Sequence, residues 1–218
     1  MKDISFKLLY ERKVISMESA QPARGVLLVV SGASGSGKST VVKNMRDMGE
    51  EFYFSVSYTT RPRRESEVDG KHYYFVDRPA FEKIVREGAF LEYSEYCGHN
   101  YGTPAAPVRE MLGKGMTVLL EIDVPGAMQI RHNMPDAVLT FVTPSDFGIT
   151  EARLRKRATE NSTDINSRIS AARYELSRIK EYDYIIINDD ARLAALELRA
   201  VISAEKCRAG RRLGMLKG

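Results

Sequence analysis

A run of nine residues, Gly32-Ala33-Ser34-Gly35-Ser36-Gly37-Lys38-Ser39-Thr40, has the residue types and the spacing that bind phosphate. It reads glycine, four residues, then Gly-Lys-Ser, which is the pattern of a phosphate-binding loop. Gly35 and Gly37 allow backbone angles that turn successive N–H groups toward a phosphate oxygen. Lys38 adds a charge for the outer phosphates, and the hydroxyl of Ser39 or Thr40 can complete the shell of a magnesium ion. The run therefore predicts a site for a nucleoside triphosphate.

Such a loop requires a strand before it and a helix after it, and the sequence supplies both. The apolar run Val26–Val30 predicts a buried strand. A helix beginning near Lys38 would direct its positive end at the same phosphates. A chance Gly/Ser-rich turn would lack this context. The loop leaves the phosphate acceptor open, because GTPases, motors and small-molecule kinases all use it.

Composition sets the broad class. The 218 residues are 43% hydrophobic and 28% charged, which predicts a globular chain with one sizeable core and room for a mobile subdomain. A net charge of +4 suits an enzyme of anionic substrates as well as a nucleic-acid binder, so charge alone decides nothing. Cys97 and Cys207 lie far apart, which predicts free thiols in a reducing compartment. The histidines His72, His99 and His132 are equally scattered, and we expect no structural metal site.

The two ends of the chain read as extensions of the folded part. Residues 1–24 include Asp3, Glu11 and Glu18 and have no long apolar core. These features argue against a secretory signal or a transit peptide and predict a flexible leader. Residues 208–218 form a basic tail. No apolar run in the sequence approaches the length of a membrane span.

From Val26 onward, short apolar runs alternate with helical stretches, the pattern of a parallel sheet with helices on both faces. Four of the runs are apolar on both faces and predict core strands. These are Val26–Ser31, Thr117–Ile122, Ala137–Val142 and Tyr184–Ile187.

Residues 52 to about 102 differ from the rest, and they predict a small insertion beside the main sheet. A short helix follows Pro79 and ends at Gly88. The strand-like pieces of the insertion are Phe54–Ser57, Tyr73–Val76 and Phe90–Tyr93.

The insertion carries a charged loop, Thr59 to Gly70, with a proline and three arginines. Such a loop cannot build a core, and arginine is suited to bidentate capture of a phosphate. Taken alone, the run fits a solvated loop whose arginines pair with Glu65, Glu67 and Asp69. Downstream of a phosphate-binding loop, binding of an acceptor phosphate is the better interpretation.

A third basic group, Arg153 to Arg157, precedes a polar stretch and a helix that contains Arg168. Arg153 and Arg157 are four residues apart, so they share a helix face. The polar stretch suits a lid that closes over the nucleotide, and an exposed helix pair with solvated arginines fits it about equally well. The residues of the following helical stripe are apolar and predict core packing: Ile165, Ile169, Ala172, Leu176 and Ile179.

Together these motifs resemble the guanylate kinase family over residues 25–207. The segments that carry the resemblance are Gly32–Thr40, Ser57–Arg61, Glu67–Tyr73, Phe90–Glu92, Asn100–Thr103, Ile122–Gly126 and Asn188–Asp190. The resemblance implies an α/β P-loop NTPase fold: a parallel sheet core flanked by helices, a small mixed GMP-binding insertion and a helical lid. The implied parts are a leader (1–24), a core (25–51, 104–143 and 182–207), a GMP-binding subdomain (52–103), a lid (144–181) and a basic tail (208–218).

The resemblance also implies the reaction, the ATP-dependent phosphorylation of GMP to GDP with Mg²⁺. The implied enzyme is a cytoplasmic monomer or homodimer whose partners are ATP and GMP, with no nucleic acid and no membrane. The implied catalytic residues are Lys38, Arg61, Arg157 and Arg168, the last two being lid arginines that reach the transferring phosphoryl group. The implied ATP-binding residues are Gly32, Ala33, Ser34, Gly35, Ser36, Gly37, Lys38, Ser39, Thr40 and Asn188. Ser39 would hold the magnesium ion together with phosphates and water.

The GMP-binding residues are also carried over from the resemblance. Arg61, Arg64, Tyr73 and Tyr101 match the residues that hold the GMP phosphate. Ser57, Glu92, Thr103 and Asp123 match those around the guanine. The chemistry agrees, because guanine presents two donors that a carboxylate such as Glu92 complements, while a hydroxyl of Ser57 or Thr103 can donate to O6. Adenine presents the wrong pattern, so an unpaired buried carboxylate would oppose its binding.

Several positions depart from the family pattern. Lys156 and Ala158 replace two glycines that are common beside the lid arginine. Pro125 stands where glutamine is common, and Glu121 where aspartate is usual. Glu121 keeps a carboxylate near the loop and could act on magnesium through water.

The role of Asn188 and the function class of the chain each leave alternatives open. Asn188 matches a family segment near the adenine, and Asn188 or Asp189 could equally cap the final helix. The fold also serves binding modules that recognise phosphorylated peptides, against which the intact Gly37-Lys38-Ser39 argues. A kinase with a ribose bisphosphate acceptor is disfavoured by Glu92 with Thr103, and a regulatory GTPase by the absence of an Asn-Lys-x-Asp segment.

Overall fold

The computed structural model describes residues 25–96, 98–158 and 165–215. Within the helices, the side chains of residues 156–158, 165, 167, 168 and 214 lie outside this description. The expectations for the leader 1–24, for Cys97 and for residues 216–218 also fall outside it.

A five-stranded parallel sheet forms the centre of the molecule. Its strands are β1 (Leu27–Ser31), β2 (Tyr53–Phe54), β7 (Val118–Glu121), β8 (Val138–Thr143) and β9 (Tyr184–Ile187), and their order is β2-β7-β1-β8-β9. Every residue of β1 and β8 is buried, because helices cover both faces of the sheet. The four predicted strands are confirmed, with ends that differ by at most one residue, but β9 is an edge strand in which Ile185 and Ile187 are exposed rather than part of the core.

Helices cover the sheet on both faces. The helices of the described residues are α1 (Lys38–Asp47), α2 (Arg78–Arg86), α3 (Ala105–Gly113), α4 (Val124–Asn133), α5 (Phe147–Ala158), α6 (Ile165–Ser177), α7 (Ala191–Lys206) and α8 (Ala209–Arg212), with 3-10 turns at Ile179–Glu181 and Leu213–Met215. On one face Met45 of α1 and Leu198 of α7 pack against the sheet. On the other face Val108 of α3 and Ile130 of α4 do so. Burial of these apolar faces holds the helices to the strands.

A second, mixed sheet of four strands forms the insertion. Its strands are β3 (Tyr58–Thr59), β4 (Tyr74–Phe75), β5 (Phe90–Tyr96) and β6 (His99–Pro104), in the order β4-β3-β6-β5. The β3–β4 pair is parallel, whereas β6 runs antiparallel to both β3 and β5. We expected one strand at Phe54–Ser57, and this was wrong: Tyr53–Phe54 pairs with β7 in the main sheet, and Tyr58–Thr59 pairs in the small one. The chain passes between the sheets at these residues, so no single ladder can hold them.

Helix starts place several polar groups at the carboxyl ends of the strands. Asp123 caps α4 by accepting from the N–H of Gly126 at 2.7 Å. Asp190 caps α7, accepting from Arg192 and Leu193, so the suggested cap at Asn188 or Asp189 was wrong. Among the described helices, none has the length and apolar character needed to span a bilayer.

Candidate active site

The phosphate-binding loop joins β1 to α1 in the way that its sequence predicts. Gly35 and Gly37 have φ of 84° and 91°, angles that other residues rarely adopt. A Cβ atom on Gly37 would also lie 2.4 Å from the amide nitrogen of Asn188. Glycine is therefore required at 37 both for backbone conformation and for space.

One side chain from the far end of the chain and one from the loop itself hold the loop in place. Asn188, which follows β9 and is buried, donates from Nδ2 to the carbonyl of Ser36 at 2.6 Å. Lys38 Nζ donates to the carbonyl of Gly32 at 2.6 Å and to that of Ala33 at 3.2 Å. The loop is thus braced from the carboxyl edge of the sheet, where parallel α/β folds bind ligands.

Two oxygen ligands lie next to each other at the start of α1. Ser39 Oγ donates to Glu121 Oε1 at 2.5 Å, and Glu121 stands at the end of β7. Hydroxyl and carboxylate oxygens are the donors that Mg²⁺ prefers, with water and phosphate completing its shell. The glutamate that departs from the family pattern therefore reaches the loop.

Arg61 forms a bidentate ion pair in the insertion. Its two terminal nitrogens donate to the carboxylate oxygens of Glu67 at 3.0 and 2.7 Å, and the two side chains are only 14% and 13% exposed. The guanidinium carbon lies 5.6 Å from the ring centre of Tyr73 and 5.8 Å from that of Phe75. The hydrogen bonds that Arg61 donates to Glu67 raise the pKa of Arg61, so the cation is permanent. The pair with Glu67 is one that the solvated-loop alternative allowed, but Arg61 is largely buried, whereas Arg63 and Arg64 are exposed.

Arg64 lies in the same charged loop as Arg61, and Tyr73 follows that loop. The backbone N–H of Arg64 donates to Glu67 at 2.9 Å, which fixes the loop, while the Arg64 side chain is exposed. Burial, with a smaller effect from the Glu121 charge, raises the pKa of Tyr73 to about 12. Tyr73 therefore stays a neutral hydroxyl that can donate to an anion.

Glu92 is a buried carboxylate, only 3% exposed, on β5, the edge strand of the small sheet that is next to the core. Thr103 Oγ1 donates to it at 2.6 Å, and Ser57 Oγ lies 3.5 Å from that hydroxyl. Burial raises the pKa of Glu92 to about 7, and the nearby charge of Asp123 adds to this while the Thr103 hydrogen bond opposes it. A carboxylate in this state favours a ligand that brings hydrogen-bond donors.

Asp123 faces Glu92 from the main sheet. Ser94 Oγ donates to Asp123 Oδ2 at 2.6 Å, which links strand β5 to the start of α4. Gly126, in the first turn of α4, supports the same arrangement: a Cβ atom there would lie 2.4 Å from Glu92 Oε2. The two carboxylates therefore share a space that only glycine leaves open.

Two cavities bring many of the predicted residues together, although Thr40, Thr103 and Asn188 line neither of them. The first, of about 220 Å³, is lined by Gly32, Ser34, Lys38, Ser57, Tyr73, Glu92, Ser94, Tyr96, Tyr101, Glu121, Ile122, Asp123 and Glu175. The second, of about 540 Å³, includes Ser39, Arg61, Arg64 and Glu67 in its lining. Ser57, Tyr73, Tyr101 and Glu121 line both. The two cavities are neighbouring parts of one cleft between the loop and the small sheet.

The family model described as guanylate kinase matches residues 24–205. A guanylate kinase of Streptococcus thermophilus is 48% identical over 192 residues, 88% of this chain and 92% of that protein. One from Thermus thermophilus is 46% identical over 188 residues, 86% of this chain and 85% of that protein. The chain belongs to the guanylate kinase family.

A solved structure agrees with this membership. The crystal structure of guanylate kinase from Anaplasma phagocytophilum has a TM-score of 0.73 and 32% identity, and the match covers 88% of this chain and 92% of that one. The family places the chain among the kinases, nucleotide-binding enzymes that transfer phosphoryl groups. The α/β fold with a parallel core, expected from the motifs, is confirmed.

The lid arginines of the guanylate kinase pattern are described only in part. The side chains of Arg157 and Arg168 lie outside the described residues, although both belong to helices, α5 and α6. Arg153, one turn before Arg157, directs a guanidinium nitrogen toward the loop carbonyls of Gly35 and Ser36, at 3.5 and 3.4 Å. The helix that carries Arg157 therefore approaches the phosphate-binding loop.

Sequence reasoning missed four residues that line the first cavity. They are Ser94, Tyr96, Ile122 and Glu175. Ser94 and Tyr96 follow Glu92 in strand β5, and the period of two that places Glu92 in the cleft could have found them. No sequence signal indicated a site role for Glu175, because the apolar stripe of its helix predicts core packing.

Proposed function

We propose that this chain transfers the γ-phosphoryl group of ATP to GMP, giving ADP and GDP. One observation carries the proposal: Lys38 of the phosphate-binding loop and the buried carboxylate of Glu92 line the same cavity. A phosphate site and a base-recognition site that share a cavity suit a kinase whose acceptor is a nucleotide. Membership of the guanylate kinase family supports guanine as the base.

The donor half binds ATP through backbone groups and one cation. The residues we assign to it are Gly32, Ala33, Ser34, Gly35, Ser36, Gly37, Lys38, Ser39, Thr40 and Asn188. The N–H groups at the start of α1 would face the phosphates, aided by the helix dipole. Asn188 acts on the loop by holding the carbonyl of Ser36.

Ser39 and Glu121 are the residues that would hold Mg²⁺, Ser39 directly and Glu121 directly or through water. The hydrogen bond between them shows that their oxygens are adjacent, and hydroxyl and carboxylate oxygens are ligands that suit the ion. When bound with ATP, the ion neutralises charge on the phosphate oxygens.

The acceptor half binds the GMP phosphate and the guanine with separate groups. Arg61, Arg64, Tyr73 and Tyr101 are assigned to the phosphate. Glu92, Thr103, Ser57 and Asp123 are assigned to the base. Glu92 accepts from the guanine donors, and Thr103, by donating to Glu92, holds that carboxylate in place and leaves the hydroxyl of Ser57 to donate to O6.

Catalysis requires no strong base, since the acceptor is already a phosphate oxyanion. Lys38, Arg61 and the lid arginines Arg157 and Arg168 would neutralise charge as the phosphoryl group passes between nucleotides. Closure of the lid over the cleft would keep water from accepting that group. We infer a cytoplasmic enzyme, in keeping with the exposed free thiol of Cys207.

The test is ADP formation by the purified protein with ATP and magnesium, with GMP, AMP, UMP, CMP or no acceptor assayed side by side. We expect rapid turnover with GMP alone. Equal use of AMP would contradict the role of Glu92. No turnover in a folded protein that still binds GMP would indicate a binding module instead.

A further inference from the structure

Consecutive residues of the phosphate-binding loop pack against the two helices that flank residues 159–164. Ala33 is 2% exposed and forms a cluster with Leu154 of α5 and with Ile169 and Ala172 of α6. A Cβ atom on Gly35 would lie only 3.3 Å from Leu154 Cγ. The first half of the loop is therefore in contact with both helices.

Glu175 makes the polar contact in this region. Its Oε2 accepts a hydrogen bond from the backbone N–H of Ser34 at 3.1 Å, and the side chain is only 4% exposed. Burial raises the pKa of Glu175, whereas the Lys38 charge and the Ser34 N–H lower it. The pKa of Glu175 is raised overall, so these two groups offset only part of the cost of burying the carboxylate.

This contact fixes the loop through a hydrogen bond between two protein groups, so it does not require a bound phosphate. The peptide N–H of Ser34 is directed to Glu175, and both residues line the first cavity. The next loop residues are held by Asn188 at the carbonyl of Ser36. A loop whose peptide planes are set in advance loses less conformational entropy when a nucleotide binds.

We propose that Glu175 is a positioning residue for ATP, which acts through the Ser34 N–H to hold the phosphate-binding loop against helix α6. The proposal rests on the proposed function in one respect, that ATP is the ligand of the loop. Glu175 lies in the last turn of α6, close to the C-terminal end of residues 144–181 that we assign to the lid, which we call the base of the lid. The base of the lid and the loop are thereby one structural unit.

A matched control separates this role from the general effect of a buried glutamate. Glu205 of α7 is 1% exposed and accepts a hydrogen bond from the Tyr184 hydroxyl at 2.8 Å. In the described part of the chain, Glu205 is not among the residues that line either half of the cleft. Glu205→Gln therefore changes a buried carboxylate without touching the loop.

The experiment measures KM for ATP, KM for GMP, kcat and the Kd for ATP in the wild-type protein and in Glu175→Ala, Glu175→Gln and Glu205→Gln. We expect Glu175→Ala to raise KM and Kd for ATP about tenfold, because the Ser34 N–H loses its acceptor. KM for GMP should stay within about twofold of wild type, since the acceptor half is unchanged. Glu175→Gln should recover most of the ATP affinity, because its amide oxygen can accept the same hydrogen bond, and Glu205→Gln should leave both KM values unchanged.

Three results would overturn the proposal: an unchanged KM for ATP in Glu175→Ala, equal rises of both KM values, or a Gln variant as weak as the Ala variant. If Glu175→Ala fails to fold, Glu175→Asp replaces it, because the shorter side chain withdraws the acceptor and should also raise Kd for ATP. The ATP titration needs no acceptor substrate. It therefore tests Glu175 even if the wild-type protein were to leave GMP unphosphorylated, which would instead refute the proposed function.

Discussion

The donor and acceptor halves of the cleft are built in different ways. The donor loop follows β1, a fully buried strand in the middle of a five-stranded sheet. The acceptor half rests on a sheet in which β3 and β4 have only two residues each. Aromatic pairs supplement that sheet, with ring centres 4.8 Å apart for Tyr58–Tyr74 and for Phe81–Phe90. We therefore expect the donor site to bind its ligand mainly through backbone N–H groups of the loop. The acceptor site should bind its ligand mainly through individual side chains.

The two halves meet through amide side chains of α4. Gln129 donates to the carbonyl of Tyr93 at 2.7 Å and accepts from its N–H at 3.2 Å, as a neighbouring strand would. Asn133 donates to the carbonyl of Leu91 at 3.0 Å. These bonds occupy the outer edge of β5 and tie the small sheet to the core. Because different residues build the donor and acceptor halves, substitutions in one half should affect one substrate more than the other.

Loss of Lys38 should produce the largest effect. Lys38→Ala removes the cation that serves the outer phosphates, and we expect kcat to fall on the order of 10³-fold. The measurement is steady-state turnover with both substrates saturating. Lys114→Ala, at the exposed residue that follows α3, is the control and should match wild type. A kcat within about tenfold of wild type in Lys38→Ala would show that backbone groups alone supply donor catalysis.

Arg61→Ala should have the next largest effect, and on the acceptor side. It removes a phosphate ligand and leaves Glu67 without its bidentate partner, so we expect kcat/KM for GMP to fall about 10²-fold. The Kd for ATP, measured by titration, should stay near wild type. Arg78→Ala, at an exposed position in the first turn of α2, provides the control. A comparable loss of ATP affinity would contradict the separation of the two halves.

Gly126→Ala tests whether backbone space sets base recognition. The added Cβ would displace the Glu92 carboxylate, and we expect KM for GMP to rise about tenfold while KM for ATP changes little. Gly113→Ala is the matched control, because a Cβ at that helical glycine meets nothing within 4 Å. Wild-type kinetics in Gly126→Ala would show that Glu92 need not occupy its observed position.

The smallest expected effect is a pH dependence that arises from Glu92. Its pKa is raised from 4.5 to about 7, so its contribution to the stability of the unliganded protein is present below pH 4.5 and is lost as the pH rises through 7. Guanine donors stabilise the ionised form, so kcat/KM for GMP should rise about threefold between about pH 6.5 and 7.5.

Glu92→Gln is the control for this pH profile. The phosphate of GMP also titrates, with a second pKa of about 6, and both proteins share that step. The Gln variant should have a higher KM for GMP and should lack the additional rise through pH 7. An identical pH profile of kcat/KM in both proteins would show that the whole pH dependence arises from titration of the GMP phosphate.

The sequence alone determined the elements that local pattern controls. The apolar run before Gly32 and the spacing to Lys38 predicted β1, the loop and α1, because a buried strand and a phosphate-binding turn each need specific residue types at consecutive positions. The four predicted strands followed for the same reason. The resemblance then named Glu92, which the structure buries beside Thr103.

Only the tertiary structure decided the contacts between residues far apart in the chain. Glu175 meets Ser34 across 141 positions, and α6 displays an apolar stripe that conceals this contact. Gly126 appears in the sequence as one more glycine, yet its missing Cβ makes room for Glu92. Local propensity specifies strands, turns and helix starts, whereas the partner of a buried charge depends on how those elements pack, and no single stretch of sequence contains that information.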